Sequence, residues 1–405
     1  MPLKRRLLYL APWHPLPQSS GGSLRILNTL EACAESFRVT LVLPPPPEGE
    51  SEQALVELCE SVVHVRPARA PLPVAAWPRE VLALRVLAGP RTLARLRPYA
   101  EALRRLEGPA HDIVWAGLPW LALAAPDPRR TIVDLVDVDH LKAARRAALL
   151  HHGSLGAAVH AIRLWWIEVV SLNRQLARVV SSEDEAQYLR RWGLTNVHTV
   201  PNAVPIPEPF ERRARTHVPP QPARLAFVGN MAYGPNVDAV VHFSREVMPL
   251  LRQRVPGVTF EVFGPSGPSP TLADLPPDIL MRGFVADLTG ALREVDAYVA
   301  PIRLGGGTKL KVLTALACGV PLVTTPVGAE GLGLEHGTHA LICDSPASMA
   351  EAVVALLQDA HLAARLAAAG RSLVAGRFSW AVVRAATARW LEQVAPGSGD
   401  NRSDG

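Results

Sequence analysis

Short runs of consecutive apolar residues alternate along this chain with segments whose apolar positions recur every three or four residues. "RRLLYLAP", "FRVTLVLP" and "SVVHVRP" are of the first kind, and "SLRILNTLEACAES" is of the second. A continuous apolar run bounded by turn residues predicts a strand buried on both faces, and the longer periodic stretch predicts a helix. Further strands are expected at "DIVWAG", "RTIVDLVDV" and "RVVSSE", with a long helix pattern near 141–177 separating the last two. The alternation restarts after residue 223: "RLAFVGN" strand, "NVDAVVHFSREVMPLLRQRV" helix, "VTFEVFG" strand, "ILMRGFV", "DLTGALREV" helix and "DAYVAPI" strand, then helices at 346–357 and 359–374. Short buried strands separated by helices predict an α/β protein with doubly wound parallel sheets.

Proline thickens between the two series, in "VPNAVPIPEPF" and "THVPPQPAR" across 201–223, a linker composition. The 405 residues suit two domains of about 200 each. The expected division is a Rossmann-like domain at 1–205, a second at 206–376, a helix at 377–394 packing back on the first, and a disordered polar tail at 395–405. Ligands of open parallel sheets bind at the carboxyl ends of the strands. "SSGGS" and "LGGGTKLK" are therefore expected on opposite lips of a central cleft.

Composition narrows the class. Cys33, Cys59, Cys318 and Cys343 show neither CxxC nor metal spacing, which reads as reduced, buried thiols. No apolar run reaches the roughly 18 residues of a membrane span. "MPLKRRLLYLAPWHP" reads as a basic lead into a first strand and not as a signal peptide, so a cytoplasmic protein is expected. Only Lys4, Lys142, Lys309 and Lys311 are lysine among 42 basic residues, so half of the lysines fall in one short stretch. Segment 66–105 holds nine Arg with interleaved apolar residues. It admits two readings: a basic surface for anionic lipid headgroups at the inner membrane face, or a solvated helical face. Nucleic acid is not expected as a partner, since no aromatic platform or binding motif accompanies the charge.

The stretch "GGGTKLKVLTALACG" concentrates the chemistry. Gly319, followed by Pro321, signals a helix stop, and Thr308 is the expected N-cap, which puts Lys309 and Lys311 in the first helical turn. The helix dipole makes that end about half a charge positive, so lysines there cost a few tenths of a kcal/mol each unless an anion is present. Free amides, glycines Gly305, Gly306 and Gly307, and lysines together describe a phosphate pocket. The Walker spacing GxxxxGK[ST] is absent, and a glycine turn with solvated lysines is the alternative. Gly21 and Gly22 open a helix after the first strand without GxGxxG, and they read either as a second phosphate-contacting lip or as a tight turn. In "DLVDVDH", alternate residues of a strand share a face, so Asp137 and Asp139 would point together with Asp134 opposite. Such carboxylates bind sugar hydroxyls, act as a base or cap the next helix. No metal site is expected. GxSxG is absent, the histidines have no triad context, and Trp165 and Trp166 read as core.

"GGSLRILNTL", "VVSSEDEAQYL", "VPNAV", "LAFVGNMAYGPNVDAVVHF", "RGFVADL" and "APIRLGGGTKLKVLTALACGVPLVTTPVGAEGL", in this order, resemble the GT-B glycosyltransferases of the family 4-like group over nearly the whole chain. The subgroup resembled is associated with polysaccharide assembly. The resemblance implies two facing Rossmann-like domains, a UDP- or GDP-linked sugar as donor substrate with no cofactor, and a glycan or lipid-linked acceptor on the first domain. It implies further that Gly305 to Gly307, Thr308, Lys309 and Lys311 meet the diphosphate, with Gly21 and Gly22 approaching from the other lip. Phe284 and Val285 would lie against the base, Ala329 and Glu330 near the sugar and phosphates, and Asp137 and Asp139 where relatives place a sugar-facing polar residue.

Two departures stand out. Many relatives carry glutamates at the positions of Gly306 and Thr314, the second gripping the ribose. Relatives also place Arg and Lys after the strand at "LAFV", where this chain reads "GNMAYGPN". Lys309 and Lys311 would then supply the missing charge. Losing a carboxylate on the ribose diol costs about 1–3 kcal/mol of donor binding. The expected reaction is a retaining, metal-independent hexosyl transfer in which Lys309 and the loop amides stabilise the leaving diphosphate. The alternative is a degenerate module that binds nucleotide or glycan without turnover.

Overall fold

The structure, a computed structural model, describes residues 4–16, 20–65, 94–106, 111–149, 155–172, 174–209, 222–267 and 269–395. The chain forms two compact units, residues 1–202 with 381–405 and residues 203–380.

The first unit carries seven parallel strands in the order β3-β2-β1-β4-β5-β6-β7. They are β1 (Arg5–Leu10), β2 (Phe37–Leu43), β3 (Ser61–His64), β4 (Ile113–Ala116), β5 (Thr131–Val136), β6 (Ala177–Val180) and β7 (Val197–Thr199). The central strands are buried on both faces, Leu7 through Leu10 at 2% exposure or less, which accounts for their unbroken apolar runs. The crossovers are α1 (Gly21–Ser36), α2 (Gln53–Leu58), α3 (residues 94–105), α4 (Asp139–Leu149), α5 (Leu155–Trp165) and α6 (Glu183–Arg191). The long helix pattern near 141–177 is two helices, α4 and α5, followed by a π-turn at Trp166–Ser171. Of the Arg-rich segment, residues 66–93 lie outside the described residues, as do 396–405 of the tail. In α3, Leu96 and Tyr99 are buried while Arg95, Arg104 and Arg105 are exposed.

The second unit has six parallel strands in the order β10-β9-β8-β11-β12-β13. They are β8 (Arg224–Val228), β9 (Thr259–Phe263), β10 (Ile279–Gly283), β11 (Ala297–Ala300), β12 (Leu322–Thr324) and β13 (Leu341–Ile342). Its helices are α7 (Gly234–His242), α8 (Met248–Arg254), α9 (Leu288–Arg293), α10 (Leu310–Ala317), α11 (Pro326–Ala329), α12 (Pro346–Gln358) and α13 (Ala360–Arg377). The single helix expected at 236–255 is interrupted by a π-turn at Phe243–Val247, just ahead of Pro249, which has no N–H to continue the ladder. Phe227, Phe243 and Phe260 centre the core, with ring centroids of Phe243 and Phe260 4.4 Å apart.

Helix α14 (Trp380–Val394) packs within the first unit. Arg384 pairs with Glu31 at 2.6 Å, Ser36 donates to Glu392, and Trp390 meets the buried Trp115 edge-on. The four cysteines are free and buried, and burial pushes the Cys59 thiol up to about 12.

In the second unit the turn after β9 requires glycine. Gly264 has φ of +133°, and a Cβ there would stand 2.1 Å from the Gly229 carbonyl oxygen. Gly264→Ala is expected to cost about 3 kcal/mol or more in urea denaturation, strain and clash together, against about 1 kcal/mol for Gly49→Ala, whose φ of +85° faces open space.

Candidate functional site

Strand order reverses between β8 and β11 in the second unit, so the loops leaving these neighbours diverge and leave a crevice at their carboxyl ends. The loop after β8 begins with Gly229, where a Cβ would meet Asn236 at 2.8 Å, and Asn236 Nδ2 donates to the Asn230 carbonyl at 2.8 Å. The loop after β11 holds Gly305 (φ +135°) and Gly307 (φ +62°), two conformations that an L side chain rarely adopts. Lysine ties together the starts of the helices that follow the two loops: Lys311 Nζ, in α10, donates to Asn236 Oδ1, in α7, and lies 4.9 Å from the centre of the Phe227 ring.

Helix α10 begins at Leu310, with Lys309 and not Thr308 as its N-cap. Lys309 adopts φ −88°, ψ 89° and makes no side-chain cap, so the expected Thr308 cap is corrected by one residue. Lys309 is 7% exposed; its Nζ donates to the Gly307 carbonyl at 2.7 Å and stands 3.8 Å from Glu330. Gly319 ends the helix at φ +65°, its N–H reaching the Leu316 carbonyl at 2.9 Å, as the stop signal predicts. Thr314 turns its hydroxyl onto the Leu310 carbonyl, 2.9 Å away, within its own helix.

Glu330 is placed by "TTPVGAE". Thr325 caps α11 by accepting from Gly328 N–H at 2.9 Å, and a Cβ on Gly328 would stand 2.1 Å from Thr324 Oγ1. Ala329 closes that short helix and Glu330 follows it. Phe284, 71% exposed, follows β10, whereas Val285 packs on the core. All these residues stand at the carboxyl edge of one sheet. Asn236 and Phe227 were missed by sequence reasoning; the glycine–asparagine pair that ends "LAFVGN" was the available signal.

The two lysines differ in surroundings. Lys309 has Glu330 nearby, while Lys311 has a neutral amide, an aromatic face and Lys309 about it. Burial, with the Lys309 charge adding to it, pulls the Lys311 ammonium down to about 7. Part of the Lys311 side chain still meets the surface.

In the first unit the sequence-predicted residues part company. Ser20 caps α1, and Gly22 leaves room for Trp13, whose indole would lie 2.3 Å from a Cβ at that position; Gly21 opens the helix beside it. Strand β5 ends at Val136, a β-branched residue at φ +61°, so Asp137 and Asp139 do not share a strand face. Asp137 lies in the turn and Asp139 opens α4. The two meet across Lys142, whose Nζ is 3.0 Å from Asp137 and 2.6 Å from Asp139. These two carboxylates raise the Lys142 pKa against the opposing pull of burial. Asp134 is buried in a bidentate pair with Arg25, which also donates to the Val200 carbonyl and to Asn202.

The turn itself is held from behind. Glu185 accepts the Val138 N–H at 3.0 Å, and Glu168 accepts those of Asp139 and His140. Glu168 also bonds His140 Nδ1 at 2.5 Å, and His140 Nε2 lies 3.0 Å from the Tyr188 hydroxyl. Burial raises the pKa of both glutamates. Among the described residues, no group of three or more His, Cys, Asp and Glu could hold a metal ion, and no single helix is long and apolar enough to cross a membrane.

Two family models divide this architecture at the same place. "Glycosyl transferase 4-like domain" matches residues 20–203 and "Glycosyl transferases group 1" matches 222–359. The chain belongs to the group 1, family 4-like glycosyltransferases of GT-B fold. Among curated members, glycogen synthase of Mycobacterium tuberculosis is 29% identical over 269 residues, 64% of this chain and 62% of that protein; the match therefore spans less than two thirds of the relative. The GDP-mannose-dependent alpha-(1-6)-phosphatidylinositol monomannoside mannosyltransferase of M. tuberculosis is 24% identical over 76% of this chain and 83% of its own length. Of solved structures, sucrose-phosphate synthase from Thermosynechococcus elongatus superposes with a TM-score of 0.73 at 15% identity, covering 96% of this chain and 99% of that one. Anabaena HepE in complex with UDP-glucose gives 0.63 at 15% identity, covering 96% and 99%. Both share the fold.

The Lys311 environment sets a pH dependence of stability. Between about 7 in the folded state and 10.5 in the unfolded one, the unfolded chain holds one more proton, so stability rises with pH across that window. Below it both states are protonated and the contribution is flat. Urea midpoints at pH 7 to 9 are expected to climb less steeply in Lys311→Met than in the parent protein.

Proposed function

We propose that this chain transfers a hexose from a nucleotide-diphosphate sugar to a glycan or lipid-linked acceptor, with retention at the anomeric carbon and without a metal. The observation that carries this reading is the pair of lysines at the start of α10, where the helix dipole already favours an anion and Lys311 faces an amide in place of a carboxylate. A desolvated lysine in a crevice at a sheet's switch point is stabilised by a bound diphosphate. The solved complexes of HepE with UDP and with UDP-glucose, and the GDP-mannose named for the mannosyltransferase, support a nucleotide-sugar donor.

Cleavage of a glycosyl–phosphate bond places charge on the departing diphosphate. Lys309, Lys311 and the amides of Gly305 to Gly307 supply positive charge and fixed dipoles to it. Glu330 sits against Lys309, where it fixes the ammonium and borders the region of the sugar and phosphates. Phe284 offers an exposed ring for the base. Within the first unit, Asp137 and Asp139, clamped by Lys142, offer acceptors for the hydroxyls of a sugar bound there.

One observation favours a second reading, a binding module without turnover. The Thr314 hydroxyl bonds to its own helix, at the position where the family resemblance implies a ribose-binding Glu. In a screen of nucleotide sugars by thermal shift and hydrolysis, turnover by the parent protein establishes the transferase. Turnover seen only in Thr314→Glu would establish the module.

Calorimetry of UDP and GDP tests the anion site. Lys309→Ala is expected to weaken the tighter nucleotide about 10- to 100-fold, the worth of one charged hydrogen bond. An anion raises the Lys311 pKa, so above pH 7 binding takes up a proton and affinity falls as pH rises. Lys311→Arg, always charged, is expected to lose that proton uptake, measured from the dependence of binding heat on buffer ionisation. Unchanged affinity in Lys309→Ala would remove the anion site.

A further inference from the structure

The carboxyl edge of the first unit's sheet holds a pocket of about 430 Å³, within the range of roughly 300–1,000 Å³ that ligand sites occupy. The loops after β1, β2, β3 and β4 and the helix α3 all contribute to it, so it belongs to one unit and straddles the point where strand order reverses between β1 and β4. Trp13, Leu118 and Trp120 form its walls, and Tyr99 stands edge-on to Trp120 with ring centroids 5.7 Å apart.

Among the described residues, the lining is mostly apolar, with the Trp13 and Trp120 indoles, the Tyr99 hydroxyl and Arg95 as its side-chain donors. Pro12, Pro44, Pro45 and Pro98 have no N–H. The Tyr99 hydroxyl already donates to the Ala11 carbonyl at 2.6 Å. A hexose brings several hydroxyls, each costly to bury unpaired, and among the described lining residues the Trp13 and Trp120 indoles and the Arg95 guanidinium are the side-chain donors left to meet them. An aliphatic chain gives up no hydrogen bond by entering and gains the burial of its methylenes. Among the described residues lining the pocket, Arg95 is the charged one, on the exposed side of α3. The described lining, apolar walls with Arg95 at the side, fits an aliphatic chain that ends in an anion.

We propose that this pocket receives the hydrocarbon chain of a lipid phosphate acceptor, with the phosphate drawn to Arg95. The proposal rests on the transferase reading above and selects the lipid-linked acceptor over the free glycan. The chemistry is shared by isoprenyl and straight alkyl phosphates.

The test uses the full chain and its tryptophan fluorescence, since Trp13 and Trp120 line the pocket. Farnesyl monophosphate is expected to quench saturably, with farnesol about tenfold weaker. Dodecyl monophosphate, below its micelle concentration, is the straight-chain arm; the tighter of the two phosphates identifies the source. Arg95→Gln is expected to bring farnesyl phosphate to the level of farnesol. Leu118→Arg, which puts a charge in the wall, is expected to abolish quenching by either lipid while nucleotide binding persists. Arg95→Gln, on an exposed helix face, keeps the test readable where Leu118→Arg does not fold. If neither phosphate binds, if maltotriose quenches in their place, or if both variants behave as the parent, the proposal is overturned. Failure of nucleotide-sugar binding, measured separately in the same samples, would instead overturn the transferase reading.

Discussion

A parallel sheet places every strand-to-helix loop on one edge, and that constraint organises both units. Strands such as β1 and β11 are buried on both faces, so neither can carry a polar side chain outward to a ligand. Chemistry is displaced to the carboxyl edge, where helix starts add positive potential and backbone amides. The second unit uses that edge for the glycine–lysine loop, the capped "TTPVGAE" turn and Phe284. The first unit uses it for an acidic turn near one end and an apolar pocket near the other. Among the described residues, similar architecture thus presents different linings: glycines and lysines at β8 and β11, prolines and aromatic rings at β1 and β4.

How the two edges are held differs as well. In the second unit the loops are shaped by steric exclusion of a Cβ: Gly229 against Asn236, Gly264 against Gly229, Gly328 against Thr324. In the first unit the turn after β5 is held by buried carboxylates. Glu168 and Glu185 accept three successive amides from Val138 to His140, and the turn tolerates Val136 at positive φ because those bonds leave little choice. The strain points at Asp137, and Lys142 then fixes where the two aspartates stand.

Much of the alternation was legible because buried parallel strands leave unbroken apolar runs. The helix breaks were less so: the π-turns at Phe243–Val247 and Trp166–Ser171 preserve apolar periodicity closely enough that sequence alone reads through them. The glycine–lysine loop stands out in the sequence because two cations at a helix start contradict the dipole. Its N-cap was missed by one residue, since Lys309 occupies the cap without the side-chain bond that makes Thr a favoured choice. Asp137 and Asp139 were read as strand neighbours, and only the positive φ at Val136, invisible in a β-branched residue, shows that the strand has ended. The role of Asn236 depends on a contact with Lys311 across many intervening residues, and no local pattern encodes that.

The choice of Asn236 as the neighbour of Lys311 carries the physical logic of the site. A carboxylate at that position would neutralise the lysine, raise its pKa and compete with any phosphate for it. An amide leaves the charge uncompensated and so keeps the ligand-free state under a desolvation penalty. The Phe227 ring softens that penalty without adding a negative group. Lys309 is treated differently, with Glu330 near enough to order it but, at 3.8 Å, not bonded to it. One lysine is thereby positioned and the other left electrostatically unsatisfied. An anion that satisfies Lys311 gains more than a solvated lysine would give, because the environment has already been dried.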